Sequence, residues 1–282
     1  MIKMTVHPIS VIHPSAVIAD DAEIGIGVVI GENAVIETGV EIGPHAILGP
    51  NTTIREGARI YPGAVIGTEP QDIKYDGTPT KCEIGYRTII REYCTINRGT
   101  TASGATIIGD DCMLMSYTHV AHDCRIGNHV VTASAVLFGG HCECHDNAVI
   151  GGGTGFHQFI RIGKLAMVGG ISGVRQDCPP YMITAGAPPA VVYGVNNVGL
   201  KRNEISPASR KLIKAAYKLL YRSGLNVDDA LSKIKNELEQ TPEIGYLLEF
   251  YENSKRGVAR GHQETRFLAD KEDEMDHSMR FA

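Results

Sequence analysis

Residues 11–66 read VIHPSAVIADDAEIGIGVVIGENAVIETGVEIGPHAILGPNTTIREGARIYPGAVI, with isoleucine at 12, 18, 24, 30, 36, 42, 54, 60 and 66 and Leu48 in the gap. The period is six. Continued in the same phase to residue 174, the series has 28 positions, of which 23 are Ile, Leu, Val or Phe. The exceptions are Asp72, Thr78, Ala102, Thr132 and Cys144. Four residues after each apolar position comes a small or β-branched side chain, as at Ala16, Ala22, Val28, Ala34, Val40 and Ala46. A buried helix would show a period near 3.6 and a half-buried strand a period of 2, whereas a period of six means short strands separated by turns. Three hexads make one triangular coil of about 18 residues whose strands pair with those above and below, about 4.8 Å away. The expected fold is therefore an all-β parallel β-helix.

Composition agrees with a thin, repetitive core rather than a globular one: 32 Gly, no Trp and 6% aromatic residues in 282. Met1 to Asp20 has neither a basic start nor an apolar stretch, and no apolar run is long enough to span a bilayer. The expected location is cytoplasmic, where the seven cysteines stay free thiols. A net charge of -5 argues against nucleic acid as a partner. His141-Cys142-Glu143-Cys144-His145 has the look of a zinc cluster. In phase, however, Cys142 is a corner and Cys144 an inward core position. Cys94, Cys112, Cys124 and Cys178 are corners too, which leaves Cys82 alone without a structural role and no metal expected.

The pattern breaks twice, at about 68–81 (TEPQDIKYDGTPTK) and 97–106 (NRGTTASGAT), and insertions in solenoids often carry function. It thins out near Pro179-Pro180. Ser206-Pro207 then reads as N-cap and first residue of a helix running to about Arg222, followed by Val227 to Glu239 and Pro242 to Lys255 with Thr241 as cap. The expected organisation is a β-helix over 1–190, a helical domain over 191–257 and a charged, flexible tail over 258–282. The first helix carries Arg210, Lys211, Lys214, Lys218 and Arg222 and no acidic residue, an arrangement suited to an acidic partner.

Of eleven histidines, His119, His122, His141, His145 and His157 fall within forty residues. His141 follows His122 by nineteen and His157 follows His141 by sixteen, so coil arithmetic stacks the three near one corner beside Asp123 and Gln158. A neutral imidazole can take a hydroxyl proton. Gly139-Gly140 precedes His141, and backbone N–H groups unobstructed by a Cβ can hold an oxyanion. Neither a Gly-x-Ser-x-Gly elbow nor a cysteine outside the scaffold accompanies these histidines. Base-assisted direct acyl transfer is thus preferred to a covalent intermediate.

Several segments carry a resemblance: Gln71 to Tyr75 (QDIKY), Ile96 to Thr100 (INRGT), His119 to Cys124 (HVAHDC), His157-Gln158-Phe159, Gly194-Val195-Asn196, Gly199 to Arg202 (GLKR) and Ala216 to Gly224 (AYKLLYRSG). From about His13 to about Gly257 the chain resembles the UDP-N-acetylglucosamine O-acyltransferases of lipid A biosynthesis, members of the hexapeptide-repeat transferases. The resemblance implies a left-handed coil and a homotrimer with the site between subunits. It implies transfer of a 3-hydroxyacyl chain from the phosphopantetheine of acyl carrier protein to the sugar 3-hydroxyl, with no bound cofactor. The carrier would dock on basic surface including Arg210, Lys211, Lys214 and Lys218. Catalysis is assigned to His122 as base, Asp123 orienting it, and the Gly140 amide as oxyanion donor. Asp72, Lys74, His119, His141, His157 and Gln158 are implied to contact sugar, phosphate or pantetheine, Asn196 and Arg202 the nucleotide or carrier phosphate, and Gly170 the acyl-chain groove. The chain departs from the family at Val198, where Glu is usual, and at Asn203, where Arg is usual. Transfer to a 3-amino UDP-sugar stays open, as does a trimeric β-helix carbonic anhydrase with zinc held by His119, His122 and His141.

Overall fold

The protein is described by a computed structural model covering residues 6–262. Short strands, most of two residues and at six-residue intervals, build three sheets of nine, eight and ten strands, which up to Met167–Val168 join every third strand of the sequence in parallel. The fold is a left-handed parallel β-helix. Val11-Ile12 pairs with Val29-Ile30, and Val29-Ile30 with Ile47-Leu48, an 18-residue register. In each strand one side chain turns in, and Ile30, Ile36, Leu48, Ile54, Ile66, Ile84 and Ile96 are among the fully buried residues. The small residue four places on lies at the corner, where Ala22, Val28, Ala34 and Ala46 are 0% exposed.

Each coil turns through left-handed backbone, and non-glycine residues occupy it at many corners, Asp123 (φ 61°), His141 (φ 61°) and Phe159 (φ 66°) among them. Side chains outside glycine rarely adopt this region. Here the ladder hydrogen bonds above and below hold them there, as between the His141 amide and the His122 carbonyl (3.0 Å).

Phase survives both interruptions because each inserts a multiple of six. Val65 pairs with Thr95 and Thr95 with His119, steps of 30 and 24 residues in place of 18. The inserted loops span 69–80 and 98–104. All seven cysteines are free and buried, and Cys82 is no exception. It sits opposite Thr52 in the ladder and is 0% exposed, filling a corner as Cys94, Cys112, Cys124, Cys142 and Cys178 do.

The β-helix ends in a hairpin, Met182–Ala185 against Val191–Val195, that extends the third sheet in antiparallel sense. Four helices follow among the described residues: α1 (Asn197–Arg202), α2 (Pro207–Tyr221), α3 (Val227–Glu237) and α4 (Pro242–Glu252). The sequence expectation had three. The short α1 was missed because its signal is a single Asn cap with no apolar period to follow. Ser206 and Thr241 cap α2 and α4 as expected. Ile213, Ala216, Leu220, Ile234, Ile244 and Leu247 form a second core that reaches the β-helix through Leu165, Tyr181 and Met182. No described helix is long and apolar enough to cross a membrane. Of the segment expected to be a flexible tail, residues 258–262 are held, Val258 bridging Asp177 and Gly261 bridging Val192. The remainder, from 263, lies outside the described residues.

Candidate active site

The 18-residue register decides which side chains meet. His122, Gly140 and Gln158 share one column, and Asp123, His141 and Phe159 the next. Asp123 is the organising group. Its side chain is 0% exposed, and it accepts from the Thr100 amide (2.9 Å), Thr100 Oγ1 (2.7 Å), Ser103 Oγ (2.5 Å) and His122 Nδ1 (2.8 Å). Burial pushes this carboxyl up, but the hydrogen bonds from Ser103, His122 and Thr100 outweigh it and bring it to about 2. Asp123 is therefore a carboxylate that holds the His122 ring by Nδ1, leaving Nε2 as the basic nitrogen. Thr100 and Ser103 come from the 98–104 loop, which was legible as an interruption, although nothing in its sequence showed that it folds back onto Asp123.

A Cβ built on Gly140 would lie 2.7 Å from Cε1 and 2.8 Å from Nε2 of His122. Only glycine can occupy this position without displacing the ring. The Gly140 carbonyl accepts from the Phe159 amide (3.0 Å), and among the described residues nothing accepts from the Gly140 N–H. A basic nitrogen and an uncommitted amide thus stand side by side.

His141 lies edge-on to His122, ring centres 5.1 Å apart, with Nε2 3.7 Å from Asp123, and its other face stacks on Phe159 at 4.5 Å. Burial is the main influence holding His141 below the usual histidine range; the charges of Asp123 and Asp72 oppose it. Asp72, on the 69–80 loop, is thus within electrostatic reach of the groove. It accepts from the Lys74 amide (2.9 Å), a turn that leaves the Lys74 side chain exposed. His119 bonds through Nδ1 to Thr95 (2.8 Å), and burial, then the neighbouring His122, lowers its basicity.

The expected three-histidine stack is corrected to two. His157 falls in the column of Ala121 and Gly139, because sixteen residues is two short of a coil, and Phe159 takes the place above His141. His157 Nδ1 instead lies 3.0 Å from Arg256 and 3.2 Å from the Gln158 carbonyl. Asn196 is buried with its side chain engaged at both ends, Nδ2 donating to Leu165 O (2.9 Å) and Oδ1 accepting from Gly199 N (2.9 Å). It caps α1 and anchors it to the β-helix. Arg202 is exposed in the last turn of α1, Val198 is 45% exposed on the same helix, and Asn203 bonds back to Gly199 O (3.0 Å). At Gly170 a Cβ would meet the Gly152 carbonyl at 3.1 Å, so close coil stacking already favours glycine there.

His122, Asp123 and His141 have ligand atoms within 4.8 Å of one another, a spacing open to a metal ion. Asp123 would have to release Thr100, Ser103 or His122 to serve one, and His122 Nδ1 is already bound. The zinc reading also required His119, which is not part of that group.

A sequence profile described as UDP N-acetylglucosamine O-acyltransferase, domain 2, matches residues 177–259, and the bacterial transferase hexapeptide profile matches 21–56, 33–68 and 105–140. The acyl-[acyl-carrier-protein]--UDP-N-acetylglucosamine O-acyltransferase of Thiobacillus denitrificans is 44% identical over 257 residues, covering 91% of this chain and 99% of the relative. The chain belongs to the UDP-N-acetylglucosamine O-acyltransferase family. The Thermodesulfovibrio yellowstonii member is 45% identical over 256 residues, covering 90% of this chain and 99% of its own. The crystal structure of the Moraxella catarrhalis O-acyltransferase matches with a TM-score of 0.87 and 41% identity, over 91% of this chain and 100% of that one. The chain is thus a transferase of this family over nearly its whole described length.

Proposed function

We propose that the protein transfers a 3-hydroxyacyl chain from acyl carrier protein to the 3-hydroxyl of UDP-N-acetylglucosamine, opening lipid A biosynthesis. The observation that carries this reading is the contact between the His122 Nε2 edge and Gly140, with Nδ1 held by Asp123. Nε2 takes the proton of the sugar hydroxyl as its oxygen attacks the thioester carbon. The carbonyl oxygen becomes an oxyanion beside the Gly140 N–H. Collapse breaks the carbon–sulfur bond, and the imidazolium returns its proton to the pantetheine thiolate. Asp123 stays ionised throughout and stabilises the imidazolium.

His119, His141, Gln158, Asp72 and Lys74 line the path of sugar and donor, Arg202 serves a phosphate, and Gly170 lies along the acyl groove. A homotrimer completes the groove, a reading supported by exposed apolar groups on the β-helix flank. Tyr93 and Tyr117, stacked at 5.5 Å, Leu137, and Ile171 at 85% exposure are among them. The carrier docks on α2, whose Lys211, Lys214 and Lys218 are exposed opposite buried Ile213, Ala216, Tyr217 and Leu220. Arg210 Nε is buried without a partner among the described residues.

Mass-spectrometric assay with UDP-N-acetylglucosamine and a series of 3-hydroxyacyl carrier proteins is expected to show the O-acylated sugar nucleotide. His122→Ala should lose nearly all turnover while remaining folded. A fully active His122→Ala protein contradicts the reading.

A further inference from the structure

The column that contains His157 continues upward into the last coil. Phe156 pairs with Val174, and the His157 amide donates to the Val174 carbonyl (2.9 Å), so Arg175 is stacked one coil, about 4.8 Å, from His157. From a different part of the chain Arg256 brings its Nη2 to 3.0 Å from His157 Nδ1. The segment bearing Arg256 is not loosely placed. It is pinned to the fully buried Asp177, which accepts from Ser254 Oγ (2.8 Å). The Asp177 backbone donates to Gly257 O (2.9 Å) and accepts from Ala259 N (2.9 Å). Gly257 makes the turn in left-handed backbone at φ 71°.

The Arg256 guanidinium thus lies against the His157 imidazole, and the exposed Arg175 occupies the same column one coil on. Among the described residues no carboxylate lies within 4.0 Å of either arginine, whereas Arg55, Arg87, Arg91 and Arg161 each have at least one. Clustered cations without a counter-charge repel each other, and an anion placed among them turns that repulsion into attraction. Arginine forks match the oxygen geometry of phosphate. His157 Nδ1 meanwhile faces a donor (Arg256) and an acceptor (Gln158 O), so the ring has no single tautomer that suits both. A ligand that draws the guanidinium away resolves that conflict.

We propose that His157, Arg175 and Arg256 form a phosphate-binding subsite for one of the two substrates, either the phosphodiester of the donor's pantetheine arm or the diphosphate of the sugar nucleotide. This rests on the acyl-transfer reading above. Arg175 and Arg256 would bind and orient substrate without taking part in bond making.

The test uses the full-length enzyme and its Arg175→Gln, Arg256→Gln and Arg256→Lys variants. Each is assayed with 3-hydroxyacyl-phosphopantetheine, with 3-hydroxyacyl-pantetheine lacking the phosphate, and with varied UDP-N-acetylglucosamine. If the phosphate is the donor's, the unaltered enzyme prefers the phosphorylated donor by about 10- to 100-fold in KM, the range of one or two charge-assisted hydrogen bonds. Both Gln variants reduce that preference to about threefold or less, and Arg256→Lys keeps part of it. If it is the nucleotide's, the donor preference is unaffected and the KM for UDP-N-acetylglucosamine rises by a similar factor. Arg175→Gln lies outside the Ser254–Ala259 segment, so it reports even if Arg256→Gln disturbs that segment. Unchanged KM values for both substrates in both Gln variants overturn the subsite and leave the acyl-transfer reading standing. Absence of transfer by the unaltered enzyme with every donor sinks that reading instead.

Discussion

Replacing Asp123 by asparagine removes one charge and almost no volume, and the surrounding hydrogen bonds dictate how the new side chain must sit. The Thr100 amide can only donate, at 2.9 Å from Oδ1, so the asparagine oxygen must take that position. The new NH2 then occupies the place of Oδ2, where the Thr100 hydroxyl can rotate to accept but the His122 Nδ1 must lose its proton to do so. The proton moves to Nε2, the nitrogen that has to receive one from the sugar. Loss of a charge-assisted bond to the developing imidazolium removes about 1.5–3 kcal/mol, or about 10- to 150-fold in rate. The inverted tautomer carries the total toward about 10⁴, the upper end for a general base. The assay is kcat for acyl transfer at saturating substrates, with circular dichroism and thermal unfolding to confirm the fold. A variant within threefold of the parent kcat would refute the claim that Asp123 sets the tautomer of His122.

Gly140→Ala puts a methyl 2.7–2.8 Å from the His122 ring atoms. Turnover should fall at least about 100-fold as the base is displaced from the amide, with unfolding little changed, and single-turnover kinetics would show the loss in the chemical step. The acid limb of stability should depend on Asp123, held at about 2 against an ordinary value of 3.8. A folded pKa below the unfolded one means the unfolded chain binds more protons, so this contribution, roughly 2 kcal/mol, is complete above about pH 4 and disappears between about pH 4 and 2. Denaturant titrations from pH 6 to 2 should show a flatter acid limb in Asp123→Asn. Reversing Lys214 and Lys218 to Glu should raise the KM for carrier-bound donor tenfold or more at low salt and less at high salt, with carrier-free acyl-phosphopantetheine unaffected. Equal effects on both donors would remove α2 as the docking face.

The six-residue period is a property of one dimension, and it was enough to establish the coils, the corners and the core. An inward side chain every sixth residue leaves the chain no other way to bury them. Hence Ile30, Leu48 and Ile66 were placed correctly from sequence, and the cysteines at 142 and 144 were recognised as filling rather than ligands. Helix caps at Ser206 and Thr241 were equally legible, since a cap is local. The His122–Asp123 pair could be singled out because the two are adjacent in sequence and belong to a resembled motif. Contacts between coils were not legible to better than a residue or two. Nineteen and sixteen look alike beside eighteen until the ladder forms, and only then does Gly140 lie against His122, Phe159 over His141, and His157 beneath Arg175. Partners that arrive through the loops or the C-terminal segment, Thr100 and Ser103 on Asp123 and Arg256 on His157, have no periodic signature at all. Their positions depend on how the solenoid holds the loop ends and on the buried Asp177, which are decided only when the chain has folded.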